Sequence, residues 1–196
     1  DITYTNSERL IRLINDILDI EKIEAGELDD PAQIIDAMNF IELALEANKG
    51  LCEQNNVAFV VTGRVDGARI MANQDRLMQL LTNLLSNDVK FSPPESPVEI
   101  AVSRHGDNVR IAVTDNGPGI PDEFRDRIFQ KFAQADSSDD RPKGGTGLGL
   151  SNCKAIVEHY GGSIAFDSAA GGGTTMRFEL SELVEGNAAN PAAASD

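Results

Sequence analysis

At 196 residues, 41% of them hydrophobic, the chain has material for one full domain and an additional element. With no Trp, two Tyr and eight Phe, its core is expected to be aliphatic. The formal net charge of -15 excludes a passive nucleic-acid or anionic-membrane surface, since phosphate groups repel it, and Cys52 and Cys153 offer neither a metal-ligand spacing nor a disulfide framework.

The first segment reads as one amphipathic helix. Leu10, Leu13, Ile17 and Ile20 recur at steps of three and four, Ile11, Ile14 and Leu18 widen the stripe, and Gly26 is a stop signal. So broad an apolar face on a leading helix calls for a helical bundle or a dimer seam, with packing on its own domain as the plainer reading. Asp30-Pro31 opens a new unit. Residues 36–54 read as a helix with Met38, Ile41, Leu45 and Leu51 on one face, and Val57 to Thr62 and Arg69 to Ala72 as strands. Asp75 to Lys90 is a strong helix on the period of Leu77, Leu80, Leu81, Leu84 and Leu85, ended by Pro93-Pro94. Val98 to Ser103 and Val109 to Thr114 alternate as two strands around the turn His105-Gly106-Asp107-Asn108. A Gly- and Asp-rich stretch from Asp115 to Gly149 follows, with a short helix expected over Asp122 to Phe132. Ser151 to Tyr160 is a helix closed by Gly161-Gly162, and Ile164 to Asp167 and Thr174 to Leu180 are the last strands. The tail 186–196, rich in Ala, Asn and Pro, reads as a linker or disordered segment. This order implies an α+β two-layer sandwich, a mainly antiparallel sheet with helices on one face, because steady β-α alternation is missing. Buried thiols fit a reducing cytoplasm. There is no apolar run near eighteen residues and no signal peptide, so this piece is expected to be soluble, with any membrane anchor of a longer parent lying upstream.

Three patterns carry chemistry. Asn83, Asn87 and Lys90 stand at i, i+4 and i+7 of the strong helix, on one face, with Phe91 next. Amide oxygens suit a hard cation and an ammonium suits phosphate oxygens, although Asn and Lys also populate ordinary solvent faces. Asp115-Asn116-Gly117-Pro118-Gly119-Ile120 follows a strand; its glycines permit a sharp turn or close ligand approach, and Asp115 is able to accept from an exocyclic amine. The plain alternative is a common D-N-G turn. Gly145-Thr146-Gly147-Leu148-Gly149 leads into a helix N-terminus, where free N–H groups and the dipole favour phosphate. It is neither a Walker A loop nor a dinucleotide fingerprint.

In this order and spacing the segments resemble the nucleotide-binding boxes of sensor histidine kinases, in the superfamily that includes gyrase, MutL and the large heat-shock chaperone. Asn83 to Phe91 is similar to the asparagine box and Asp115 to Gly119 to the first glycine box. Phe129-Gln130-Lys131-Phe132 is similar to the phenylalanine box, and Gly145 to Gly149 to the second glycine box. The resemblance spans roughly residues 30 to 184. It implies the Bergerat-type ATP-binding fold, ATP and Mg2+ as cofactors, and a magnesium ligand at Asn87 with Asn83 and Lys90 near the phosphates. It further implies a base contact at Asp115, with Phe91, Gly117, Gly119 and Ile120 around the base. Thr146, Gly147, Leu148 and Gly149 belong to the second glycine box, and Thr175 matches a small hydroxyl residue near the base. Gln134 to Gly144 corresponds to a lid whose Arg141 and Lys143 are phosphate contacts, Lys143 with a catalytic part.

Residues 1–28 resemble the second helix of the dimerisation and phosphotransfer domain, so the implied division is 1–28, a catalytic domain at 29–185, and the tail. The implied partners are the phosphoacceptor-histidine helix of the same kinase, a receiver domain of a response regulator, and a second copy through the helical bundle; nucleic acid is excluded. Three departures stand out. The phosphoacceptor histidine motif is absent, His105 and His159 falling in a turn and near a helix end. Asp88 stands where the family usually has a small residue, and Gln134 replaces a basic residue of some members. The alternatives are a degenerate kinase serving as a nucleotide-binding or protein-interaction module, and an anti-sigma-type serine kinase on the same fold, against which the leading helix argues.

Overall fold

A computed structural model describes residues 14, 17–23, 25, 31–134, 146–169 and 171–184. Most of residues 1–30, where the leading helix with its stop at Gly26 is expected, residues 135–145 with Arg141, Lys143 and Gly145, and the tail 186–196 lie outside the described residues. In chain order the elements are β1 (Gln33–Asp36), α1 (Ala37–Ala47), α2 (Lys49–Asn55), β2 (Ala58–Gly63), β3 (Arg69–Ala72) and α3 (Gln74–Phe91). They continue with β4 (Pro97–His105), β5 (Asn108–Asp115), α4 (Asp122–Arg125), α5 (Gly149–His159), β6 (Ser163–Ser168) and β7 (Thr174–Ser181).

The main sheet has the order β2-β4-β5-β7-β6, and β1 and β3 form a separate two-stranded sheet. Only the β2–β4 pair is parallel; the other described pairs are antiparallel. This is the expected α+β sandwich with a mixed, mainly antiparallel sheet. Period-two alternation decides which face is covered. Val98, Ile100 and Val102 of β4, Val109, Ile111 and Val113 of β5, and Met176, Phe178 and Leu180 of β7 are all buried. Against them lie Leu77, Leu80, Leu81, Leu84 and Leu85 of α3, and Cys153, Ile156 and Val157 of α5. Each fully buried leucine contributes about 1.5–3 kcal/mol relative to exposure. The opposite face carries Arg110, Thr114, Thr175, Arg177 and Glu179, which stay partly open to solvent.

α3 positions the site, and its ends are defined locally. The Asn73 side chain accepts from the N–H groups of Asp75 and Arg76 at 2.9 and 3.1 Å. Asp75 in the first turn and Lys90 in the last complement the helix dipole. Pro93 and Pro94 prevent continuation.

Elsewhere the structure departs from the sequence expectations. The helix expected over 36–54 is two helices broken at Asn48, whose buried side-chain amide donates to the Ala44 carbonyl at 2.8 Å and to Thr82 Oγ1 at 3.1 Å. Strand β1, which short-range pattern did not reveal, exists through its pairing with β3. Only the first four residues of the helix expected over Asp122 to Phe132 are α-helical. Beyond them, Arg127, Gln130 and Ala133 donate to the carbonyls of Phe124, Arg127 and Gln130, a succession of three-residue turns. They end at Phe132, whose φ is +63°.

Residues 17–23 are helical, and one face of them lies on the catalytic unit. Ile20 and Ile23 are buried, and Asp19 accepts from Arg76 Nη1 and Gln79 Nε2, each at 3.0 Å. Glu21 lies 3.6 Å from Lys131 Nζ. Ile14, Ile17 and Leu18 are exposed on the other side. The plainer reading of this helix, packing on its own domain, therefore holds for one face.

Candidate functional site

The face of α3 that carries Asn83, Asn87 and Lys90 lies between the two glycine-rich turns. Asn83, Asn87 and Lys90 are all half-buried along it. At its C-terminal end Gly117 fits closely: a Cβ there would stand 2.7 Å from Asp115 Oδ1 and 2.8 Å from the Phe91 carbonyl oxygen, so only glycine admits this contact. At its middle, the start of α5 comes alongside, a Cβ on Gly149 lying 3.8 Å from Asn83 Oδ1. Asn83 Nδ2 is buried without a hydrogen-bond partner among the described residues, a donor suited to a phosphate oxygen. Lys90 Nζ stands 5.0 Å from the centre of the Phe91 ring, which remains exposed.

The second glycine turn is organised by backbone. Gly147 has φ +72°, and a Cβ on it would lie 2.7 Å from the Phe132 carbonyl carbon, so the turn rests on the end of the phenylalanine segment. Thr146 Oγ1 accepts from the Leu148 N–H at 3.2 Å, and the buried Leu148 anchors the turn in the core. Helix α5 then starts with no side-chain cap, which leaves its first N–H groups facing the turn. Phe129 packs edge-on against Phe166, with ring centres 6.0 Å apart, and has a structural part.

Asp115 closes β5 and is buried beside the first glycine turn. Its Oδ1 accepts from the Gly117 N–H at 2.5 Å. Burial raises its pKa above the ordinary carboxylate value, while hydrogen bonds from Gly117 N–H and from the N–H and hydroxyl of Thr174 oppose the rise. Asp88, one position after Asn87, is 3% exposed, and its Oδ2 has no partner among the described residues. Burial, and secondarily the charge of Asp115, push its pKa well above the ordinary value. Two carboxyl groups thus share the floor beneath the asparagine face.

One expectation is corrected. Thr175 lies on the open face of the sheet, its hydroxyl 2.9 Å from that of Thr114, and so points away from Asp115. The hydroxyl beside Asp115 belongs to the buried Thr174. Thr174 shares the inward phase of Met176, Phe178 and Leu180, and that alternation was available in the sequence. Ile120 and Gly119 lie on the β6–β7 turn, with the Ile120 N–H donating to Ser168 Oγ at 2.8 Å. A shallow cleft of about 500 Å³ opens beside that turn, lined by Arg125, Phe166, Ser168 and Thr174 among others, and holds neither Asn87 nor Asp115. Arg141, Lys143 and Gly145 lie outside the described residues.

No group of three or more His, Cys, Asp or Glu side chains is arranged for a metal among the described residues. Magnesium keeps several waters and takes oxygen from one or two side chains together with substrate phosphates, so a single amide oxygen such as that of Asn87 suits it.

Fold and site together define an ATPase-type nucleotide-binding domain. Residues 72–183 match the family described as histidine kinase-, DNA gyrase B-, and HSP90-like ATPase, and the chain belongs to that family. It is 39% identical over 186 residues to the circadian input-output histidine kinase CikA of Synechococcus elongatus, covering 91% of this chain and 24% of that protein. With the sensor histidine kinase WalK of Bacillus subtilis it shares 33% identity over 181 residues, 91% of this chain and 30% of that one. The chain thus spans under a third of these relatives. The crystal structure of full-length ShkA in complex with AMPPNP superposes with a TM-score of 0.76 at 27% identity, covering 91% of this chain and 37% of that one. Within the family this chain is a catalytic domain of the sensor histidine kinase type. No helix among the described residues is long and apolar enough to cross a membrane.

Proposed function

We propose that this chain binds ATP with magnesium and transfers the γ-phosphoryl group to a histidine on the phosphoacceptor helix of its own kinase. The arrangement that carries the reading is the α3 face of Asn83, Asn87 and Lys90, flanked by Gly117 at one end and Gly149 at its middle. Asn87 would hold the magnesium, which when bound neutralises phosphate charge. Asn83 and Lys90 face the phosphates, and Arg141 and Lys143 supply further cations from the lid. Asp115, kept in place by Gly117 and Thr174, accepts from the adenine amine. The second glycine turn offers N–H groups to the phosphates. Phosphoryl transfer asks a protein mainly for such positioning and neutralisation.

In this reading residues 1–28 form part of the dimerisation and phosphotransfer domain, residues 29–185 the catalytic domain, and a receiver domain accepts the phosphoryl group next. Exposed Ile14, Ile17 and Leu18 suit the seam with a second copy. Asn83 stands one helical turn before Asn87, where a water-activating carboxylate would be needed for hydrolysis, and an amide is no general base. Slow hydrolysis therefore accompanies competent transfer. The histidine-kinase relatives favour transfer over a purely regulatory nucleotide-binding module.

The test combines the chain with a separately expressed phosphoacceptor domain and labelled ATP. An acid-labile phosphate on that domain is expected, abolished by Asn87→Ala. Labelling that survives Asn87→Ala removes the metal assignment, and fast steady-state hydrolysis by the chain alone removes the kinase reading.

A further inference from the structure

Ser168 ends β6, away from the asparagine face and outside the four boxes. Its hydroxyl nevertheless joins three parts of the base end. Ser168 Oγ accepts from the Ile120 N–H at 2.8 Å and lies 3.0 Å from the Gly173 carbonyl oxygen and 3.1 Å from Thr174 Oγ1. Thr174 gives both its backbone N–H and its hydroxyl to Asp115.

The directions follow from donor and acceptor capacity. An ionised carboxylate only accepts, so the Thr174 hydroxyl proton goes to Asp115 and its lone pairs face Ser168. Ser168 accepts from Ile120 and donates its own proton to the Gly173 carbonyl, with Thr174 Oγ1 in contact at 3.1 Å. The Ile120 N–H, the Ser168 hydroxyl and the Gly173 carbonyl are thus linked in one direction, and the peptide that carries this carbonyl also supplies the Thr174 N–H that Asp115 accepts. The backbone around it is joined as well: Gly171 N–H donates to the Pro118 carbonyl at 2.8 Å, Gly173 N–H to that of Gly117 at 3.0 Å, and Arg125 Nη2 to the Ser168 carbonyl. The first glycine turn and the β6–β7 turn thus form one seam, with the Ser168 hydroxyl on its inner side.

We propose that Ser168 is a positioning residue for purine recognition: through Thr174 and Ile120 its hydroxyl aims the Asp115 carboxylate and sets the preference for a base bearing a 6-amine. Ser168 acts through these neighbours without touching the nucleotide. The proposal rests on Asp115 as the base reader.

Calorimetric titrations of the full chain with magnesium compare a non-hydrolysable ATP analogue with purine riboside triphosphate, which lacks the 6-amine. The wild-type chain is expected to prefer the amine-bearing ligand. Ser168→Ala is expected to lose about five- to tenfold of that preference, the worth of one buried hydrogen bond, while binding the amine-free ligand nearly as before. Ser168→Thr restores the preference. Ser168→Cys keeps the shape with a weaker donor and reads the same ratio if the alanine variant does not fold. An unchanged ratio in the alanine or cysteine variant, or equal loss for both ligands, overturns the proposal. A wild-type chain that binds neither ligand overturns the nucleotide-binding reading instead, and one that binds both equally overturns the role of Asp115 and this inference with it.

Discussion

Replacing Asp88 by alanine is expected to stabilise the nucleotide-free chain at neutral pH. Asp88 is 3% exposed, and its Oδ2 has no partner among the described residues. A buried polar atom left unpaired costs about 1–3 kcal/mol, and alanine improves on aspartate in a helix interior by about 0.5 kcal/mol. Losing a carboxyl from the packed floor offsets part of this, which leaves a gain of about 2 kcal/mol. For a domain of this size that corresponds to a melting temperature higher by about 4–8 °C. The gain should depend on pH. Burial and the neighbouring Asp115 raise the pKa of Asp88 in the folded state, so the folded chain binds more protons than the unfolded one. The stability that this protonation contributes is fully present below the ordinary carboxylate value and is lost as pH rises through the raised folded value. Asp115 acts with the same sign. Urea unfolding of both proteins between pH 5 and 8.5 should give curves that converge toward the acid end and separate at the alkaline end, with a shallower slope for the variant. Equal stability at pH 8, or an unchanged slope, would refute the argument that Asp88 is a poorly solvated acid.

Two further substitutions test the frame around the site. Leu81→Ala removes a fully buried side chain between α3 and the sheet and should cost about 2–5 kcal/mol, read from denaturant midpoints at constant slope. Gly147→Ala places a Cβ against the Phe132 backbone at a left-handed φ. It should weaken binding of a non-hydrolysable ATP analogue by about 5- to 150-fold, because relieving about 1–3 kcal/mol of strain requires the turn to move; unaltered calorimetric affinity would count against a phosphate role for that turn.

Much of this organisation was legible in the chain. The leucines of α3 follow one helical face over about two and a half turns, and β4, β5 and β7 alternate cleanly because one side of the sheet is covered. Asn83, Asn87 and Lys90 shared a face by arithmetic alone. Tertiary contacts decided what remained. Asn48 breaks a helix by turning its amide onto Ala44 and Thr82, a choice that needs α3 in place. Strand β1 has only four residues and owes its form to β3. The choice between Thr174 and Thr175 required carrying the strand phase back from Phe178, where resemblance alone selected the hydroxyl on the open face. Ser168 left no local signal, since its neighbours Ile120 and Thr174 come from a distant loop and from the far side of a turn.

The contact of Gly147 on Phe132 has a consequence for how such chains vary. The backbone departs and returns at one point, so the frame of sheet and helices is closed without reference to how many residues lie between. The cost of joining the two ends of a connecting segment rises only with the logarithm of its length, and doubling it costs about 0.6 kcal/mol. Insertions or deletions between these two contact points are expected to leave the packing of sheet and helices unchanged.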